Sequence, residues 1–537
     1  MPTVSEKSLR AAIQNIVHFG DTDVLPFPLE RQWFAGDEDA VVTLLRTIDG
    51  SFDDWIGSYP VTFVKSLTGV GYNGFRAVTQ IDPIWNTYLL ALVIEIAGDL
   101  ERARIPTEHG VVFSYRYAPD PATGGLFDKE IGWRAFQTTS LEHARDAKYV
   151  LATDISDFYP RIYHHRLENA LMLATSNKDA ARRITVLLLK LSEGTSYGLP
   201  IGGNAARLLA ELLLNRVDRL LLVASIRFCR FVDDYAIFAQ SREEAQRALV
   251  TLSDALLRNE GLTLARAKSR LMSSAEYFRG SPLAEPEAAD SREESEAKRF
   301  LRIRWRYDPY SPTAEEDYEG LVEEVGKFDV ISMLAREFRK TRVDESLVRQ
   351  LVRSIKYLPP PVRDSAVLSL ADNMGTLYPV FPTVAIILKS LLGDLSLPTQ
   401  ERVFGVLRSL LRDNSHITMV PANAAFASRL LAYDRDEEVD VLLSDLYRSP
   451  SSDPMLRRDI VYVMARRKAD YWLSDLLKRH AQLSTWEFRA LLAASYGLGD
   501  EGKHWRKHRD KELSPADAAF VRWVGQMNSG QIWEIPV

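Results

Sequence analysis

The sequence predicts an α+β region over residues 1–280, a linker or exposed loop over 281–299, and an all-α, HEAT-like helical-repeat region over 300–537. Three observations carry this. Short β-prone runs such as Tyr149–Ala152 and Tyr235–Ala239 are interleaved with helical periodicity in the first part only. Residues 281–299 are poor in apolar side chains and rich in Pro, Ala, Ser and Glu, a composition suited to an exposed segment. Beyond it, ESLVRQLVRSIKYL, TVAIILKSLLGDL, QERVFGVLRSLLRDN and EEVDVLLSDLYRS each place apolar residues at helical spacing between short breaks. They recur at roughly 30–40 residues, the spacing of stacked helix pairs, with a plain helical bundle as the alternative.

The bulk numbers agree. A chain of 537 residues exceeds what one core supports. Its 46% hydrophobic and 26% charged content is ordinary for a globular protein. No apolar run approaches the roughly 20 residues that span a bilayer, and the N-terminus lacks the apolar block of a signal peptide. The single cysteine, Cys229, excludes an internal disulfide framework and a thiolate zinc site. A cytoplasmic protein without a membrane partner is the expectation. A net charge of −6 means that any polyanion site must be local.

Within the α+β region, Phe231–Gln240 reads FVDDYAIFAQ. Alternating residues precede Asp233-Asp234 and β-prone apolar residues follow, so two strands should meet at a tight turn with the two acids at or beside its tip. A turn aspartate can be purely structural. Two carboxylates pressed together by bulky strands repel, however, and a divalent cation resolves the repulsion. A third acid, Asp154, ends the run Tyr149–Ala152, and the chain then turns into a helix near Pro160; Asp157 reads as a helix cap. Asp154 and Asp233, with Asp234 adjoining, make a platform for two Mg²⁺ ions, with Mn²⁺ as a substitute. Two such ions about 4 Å apart activate an attacking hydroxyl and stabilise a leaving pyrophosphate.

These segments resemble the palm of a reverse transcriptase. Thr153–Ile162 (TDISDFYPRI) resembles the family's first palm motif and FVDDY its second acidic motif. Tyr197–Glu211 (YGLPIGGNAARLLAE) resembles the Gly-x-Pro-x-Gly loop and its helix, where Gly198, Gly202 and Gly203 let backbone approach substrate. Ser241–Glu244 reads as a capping box that starts a helix ending near Gly261, and Leu262–Ser269 resembles a lysine-bearing motif. The resemblance implies that Asp154, Asp233 and Asp234 are catalytic and metal-binding. It implies that Tyr159 is an aromatic gate against a ribose 2′-hydroxyl, packing at a helix start being the other reading. Lys268 would lie near the triphosphate. Val112–Tyr117 resembles part of the fingers, where Arg116 could grip phosphate. One position departs: template-copying families usually carry Gln after the motif proline, and here stands Ile201.

A palm joined to HEAT-like helices resembles the abortive-infection reverse transcriptases of bacteria, most closely the branch carried by P2-type prophages. That resemblance implies antiphage defence by template-independent, protein-primed DNA synthesis from deoxynucleoside triphosphates. It implies single-stranded DNA covalently attached to a tyrosine and a homo-oligomer. The priming residue among 21 tyrosines is unassigned. An RNA-templated reverse transcriptase and a non-enzymatic scaffold binding a phage or host protein are the alternatives. His164-His165 reads as structural, because adjacent residues diverge by about 100° on a helix. The basic stretch Lys503–Lys511 could hold a strand through phosphates and Trp505, or be a solvated helix face.

Overall fold

The computed structural model describes residues 2–22, 24–281, 283, 291–303, 305, 314–529 and 533–537. They divide into two compact units, one of residues 1–63, 79–284 and 514–523, the other of residues 64–78, 285–513 and 524–537.

The first unit is mixed α and β. Its longest helix, α1 (Pro83–Ala103), is apolar on nearly every side, with Asp82 capping its start and proline in its first turn. It packs against helices Glu6–Phe19 and Lys178–Leu191 and against α2 (Asn204–Val223). A four-stranded antiparallel sheet holds β1 (Tyr149–Asp154), β2 (Arg227–Phe231), β3 (Asp234–Ala239) and β4 (Arg270–Ser273) in the order β2-β3-β1-β4. Side chains alternate between its faces. Val150, Cys229, Ala236 and Phe238 pack with Phe113 and Phe136 on one face. Helix α3 (Arg242–Glu260) packs against β1 and β3. It begins where expected, the Ser241 hydroxyl accepting from the Glu244 amide, and ends at Gly261 with φ +70°, a conformation glycine adopts without strain.

Every described element from Arg292 onward is helical. Of the expected linker, residues 282 and 284–290 lie outside the described residues. Ser291 and Glu294 form a capping box that starts a helix, Arg292–Leu301, whose Phe300 and Leu301 are buried. In the second unit, α4 (Glu345–Ser354), α5 (Phe381–Leu391), α6 (Pro421–Leu431), α7 (Pro454–Arg466) and α8 (Thr485–Ala494) pack in one successive row. Helices Val330–Phe338, Pro360–Asp372, Leu397–Arg412 and Glu438–Arg448 form a second row. This is the expected helical repeat. Prolines at the first turns of α5, α6 and α7 explain the sequence breaks, since a first-turn proline forfeits no helical hydrogen bond. The stretch Met374–Asp394 is long and apolar enough to cross a membrane by length and composition, at a mean hydropathy of 1.5. Its α5 segment lies between α4 and α6 in the row, so those apolar residues have a packing role. Trp505 is turned inward, its Nε1 donating to the Leu477 carbonyl at 3.2 Å, so the basic stretch presents charges without a stacking ring.

Candidate active site

Strands β2 and β3 are joined by two residues, Val232 and Asp233, with Phe231 paired to Asp234 across the turn. Val232 has φ +57°, which a β-branched residue adopts only under strain. Asp233 is therefore at the tip and Asp234 begins β3. On the other side of β3 the register pairs Asp154 with Asp234, and the Ile155 amide donates to the Asp233 carbonyl at 3.1 Å. The three acids expected from sequence come to one end of one sheet.

Their charge state follows from crowding. Burial, then the carboxylates of Asp154 and Asp234, push Asp233 up to about 7. Burial and Asp154 raise Asp234 to about 6. Asp154 is 4% exposed, and its Oδ1 is buried without a hydrogen-bond partner. Its Oδ2 accepts from the Lys268 ammonium, and that bond raises the lysine further. The contact is built by backbone: the Ala265 amide donates to the Asp154 carbonyl at 2.7 Å and the Ser156 amide to the Thr263 carbonyl at 2.8 Å. The lysine-bearing loop is thus stitched to the end of β1. Hard carboxylate donors with one orphaned buried oxygen fit a divalent cation in chemistry. Among the described residues, however, no three His, Cys, Asp or Glu side chains converge closely enough to hold one ion.

Tyr159 lies in a short helix, Phe158–Arg161, directly after β1. Burial raises its phenol well above the ordinary value, with Tyr115, Glu211 and Asp233 adding to the effect and Arg207 opposing it. The ring therefore stands in the company of the acids. Asp157 occupies the N-cap position of this helix without a capping hydrogen bond and pairs with Arg161 instead. The glycine loop is pinned to the same segment. The Leu199 amide donates to the Tyr159 carbonyl and the Gly198 amide to the Ile162 carbonyl, both at 2.9 Å. His164 is structural, its Nε2 2.7 Å from the Gly198 carbonyl. Gly198 and Gly202 have φ +96° and +123°, where a side chain is strained. Ile201 presents an aliphatic side chain, and its carbonyl accepts from the Thr79 amide at 3.2 Å.

Arg116 is placed differently from the expectation of a phosphate-gripping side chain. It is 3% exposed, its Nε lies 2.8 Å from Glu101, and its Nη2 donates to the Ile105 carbonyl. A buried guanidinium so committed serves the fold interior.

The sequence reading missed the charge network beneath the turn. Arg230 on β2 is fully buried and bonds Glu211 and Asp218 of α2, at 3.0 and 2.6 Å. Its Nη1 also donates to the Val232 carbonyl at 2.8 Å, holding the strained turn residue from below. Arg104 and the Ser114 hydroxyl complete Glu211, and the Tyr235 hydroxyl reaches Asp218. Two signals were available. Glu211, Leu214 and Asp218 share one helix face, and Arg230 stands where strand alternation puts it on the face of buried Phe228. Tyr115 was also missed. Its φ is +46°, and its ring stacks near Phe127 and Phe231 and beneath the Arg207 guanidinium.

Comparison with known proteins bears on this unit. Residues 113–301 match the protein family described as "Reverse transcriptase (RNA-dependent DNA polymerase)". No curated protein matches the chain. Among solved structures, telomerase from Candida albicans, in complex with a fragment of telomeric RNA, is similar at a TM-score of 0.30 and 8% identity. That alignment covers 74% of this chain and 70% of the other. Apo telomerase from Candida tropicalis is similar at a TM-score of 0.29 and 11% identity, covering 79% and 73%. The family match contains β1 to β4, the glycine loop, and the three acids with their lysine: residues 113–301 are a reverse-transcriptase-like domain.

Proposed function

We propose that this chain is a DNA nucleotidyltransferase that extends a strand from deoxynucleoside triphosphates on an RNA template, with Asp154 and Asp233 as its metal-binding acids. The observation that carries the proposal is the pairing of Asp154 with Asp234 while Asp233 sits at the strained tip. Asp154 and Asp233 would hold divalent ions, with Asp234 beside them, and such ions supply the charge that activates a hydroxyl and eases pyrophosphate departure. The protein's own groups prepare the rest. Burial, and then repulsion from Asp154, raise Asp233 and Asp234, so the pair favours a cation over a proton as ambient pH passes about 7. Lys268, on the loop stitched to β1, keeps its proton and can turn from Asp154 toward a triphosphate. Tyr159 fills space beside Asp233, where a 2′-hydroxyl would otherwise fit.

A second reading is favoured by Ile201, an aliphatic residue that offers no side-chain hydrogen bond where template-copying families usually carry Gln, near the primer terminus and incoming nucleotide. In it the same centre works without a template and starts from a tyrosine hydroxyl, as the abortive-infection resemblance implies. Phage defence, DNA left attached to protein and a homo-oligomer belong to this reading. One experiment separates the two. The purified protein is incubated with Mg²⁺ and all four deoxynucleotides, with and without a primed RNA of defined sequence, and the products are sequenced. Complementary products made only with the RNA support templated synthesis. Sequence-independent products that stay with the protein after denaturation support the second reading. No incorporation under either condition overturns both.

A further inference from the structure

Away from the acids and the glycine loop, the first unit holds a hollow of about 540 Å³ between two packed helices. Helix His164–Ala174 supplies one wall and α2 the other, and the last residues of α1 and α3 close the ends. Each wall is a single helix face. Ala170 and Leu173 stand three residues apart on the first, and Arg216, Leu220 and Val223 follow at four and three on α2. Buried Leu212 and Leu213 line the hollow between them. The rim is apolar and open. Leu173 is 89% exposed, Val223 85% and Leu220 39%. Large aliphatic side chains left in water on both sides of one groove mark a contact face, where isolated ones would mean little.

The groove is also positive, in a chain that is acidic overall. Three of its residues are arginines, Arg166, Arg216 and Arg219, against one carboxylate, Glu260. Arg166 donates to the Arg258 carbonyl at 3.5 Å and Arg219 to the Ala103 carbonyl at 2.8 Å, which ties their stems to the ends of α3 and α1. Arg216 makes no hydrogen bond among the described residues, and none of the three has an ion-pair partner there. Arg216 and Arg219 are exposed, so their charges are free to meet an anion.

We propose that this groove receives an acidic amphipathic α-helix of a partner protein. Its apolar stripe would lie on Leu173, Leu220 and Val223, and its carboxylates would meet Arg216 and Arg219. The dimensions suit a helix. The wall from Leu212 to Val223 is about 16 Å long, three turns, and a third helix packs about 8–10 Å from each of two neighbours. Recognition of this kind uses anchors at helical spacing on the incoming segment. Single-stranded nucleic acid is the weaker fit. It binds through phosphates and base stacking, and no aromatic residue lines the groove. The groove shares no residue with the three acids, Lys268 or the glycine loop, so the proposal is independent of the polymerase reading.

The test uses a fluorescent peptide of fourteen residues with leucine at helical spacing and glutamate on the flanking faces. It is added to the full chain in EDTA without deoxynucleotides. One control scrambles the same residues and another replaces every glutamate by lysine. The acidic helix should bind in the micromolar range and each control at least about 10-fold more weakly. Leu173→Glu and Arg216→Glu should each weaken the acidic helix about 10-fold. Both side chains are exposed, so both variants should melt with the parent, which separates a lost contact from a lost fold. Added salt should weaken binding to the parent more than binding to Arg216→Glu. No binding of the acidic helix, equal binding of the lysine control, or unchanged affinity in Leu173→Glu would overturn the proposal. So would displacement of the peptide by oligodeoxythymidylate at equal charge concentration, which would make nucleic acid the occupant. Self-association of the parent that Leu173→Glu abolishes would overturn it too, by making a second copy the occupant.

Discussion

Replacing Asp233 by Asn should stabilise the metal-free protein, and the size of the gain depends on pH. Asp233 titrates near 7 in the fold against an ordinary aspartate value of 3.8, because burial and the Asp154 carboxylate disfavour its charge. The native state therefore holds this proton more tightly than the unfolded chain does. Between about pH 4 and 7 the native state binds more protons, so stability falls as pH rises through that window. At 1.36 kcal/mol per unit the full shift corresponds to about 4 kcal/mol, and coupling to a neighbouring group reduces it to about 2 kcal/mol. Asn keeps the shape and carries no charge. In EDTA, Asp233→Asn should match the parent below about pH 4, pull ahead of it as pH rises, and exceed it by about 2 kcal/mol at pH 8. Mg²⁺ should then narrow the gap by stabilising only the parent. The assay is urea unfolding read by pulsed hydrogen exchange in β1 and β3, which reports this unit alone. A variant less stable than the parent at pH 8, or a gap that does not change with pH, would refute the reasoning.

Other outcomes follow from neighbouring contacts. Arg230→Met leaves Glu211 and Asp218 without their shared cation and should destabilise the sheet by about 3–5 kcal/mol; the same exchange assay measures it, and a loss under 1 kcal/mol would mean the pair is not buried as described. Tyr159→Ala should admit ribonucleotides at the expense of sugar selectivity, read as the ratio of ATP to dATP incorporation; an unchanged ratio would place the gate elsewhere. Ser241→Ala removes the α3 cap and should cost about 1 kcal/mol while leaving any incorporation activity intact.

The acidic turn was legible because strand alternation on both sides of Asp233-Asp234 left no other place for a two-residue reversal, and the end of α3 was legible in Gly261. The burial of Arg116 and Arg230 was not. A guanidinium reads as surface in a one-dimensional pattern, and only the fold shows that Glu101, Glu211 and Asp218 arrive to neutralise them. The helix after Ser291 was hidden for the opposite reason: a run rich in Ser and Glu reads as loop, while those residue types also make a capping box. Residues 64–78 group with the helical unit and 514–523 with the palm unit, a crossing of the chain that no local composition announces.

The most direct measurement is a diffraction experiment on crystals grown with Mn²⁺ and a deoxynucleoside triphosphate, reading the anomalous signal of the metal. Manganese should be bound between the Asp154 and Asp233 carboxylates with the triphosphate against it. Manganese found elsewhere, with those two side chains too far apart to share an ion, would contradict it.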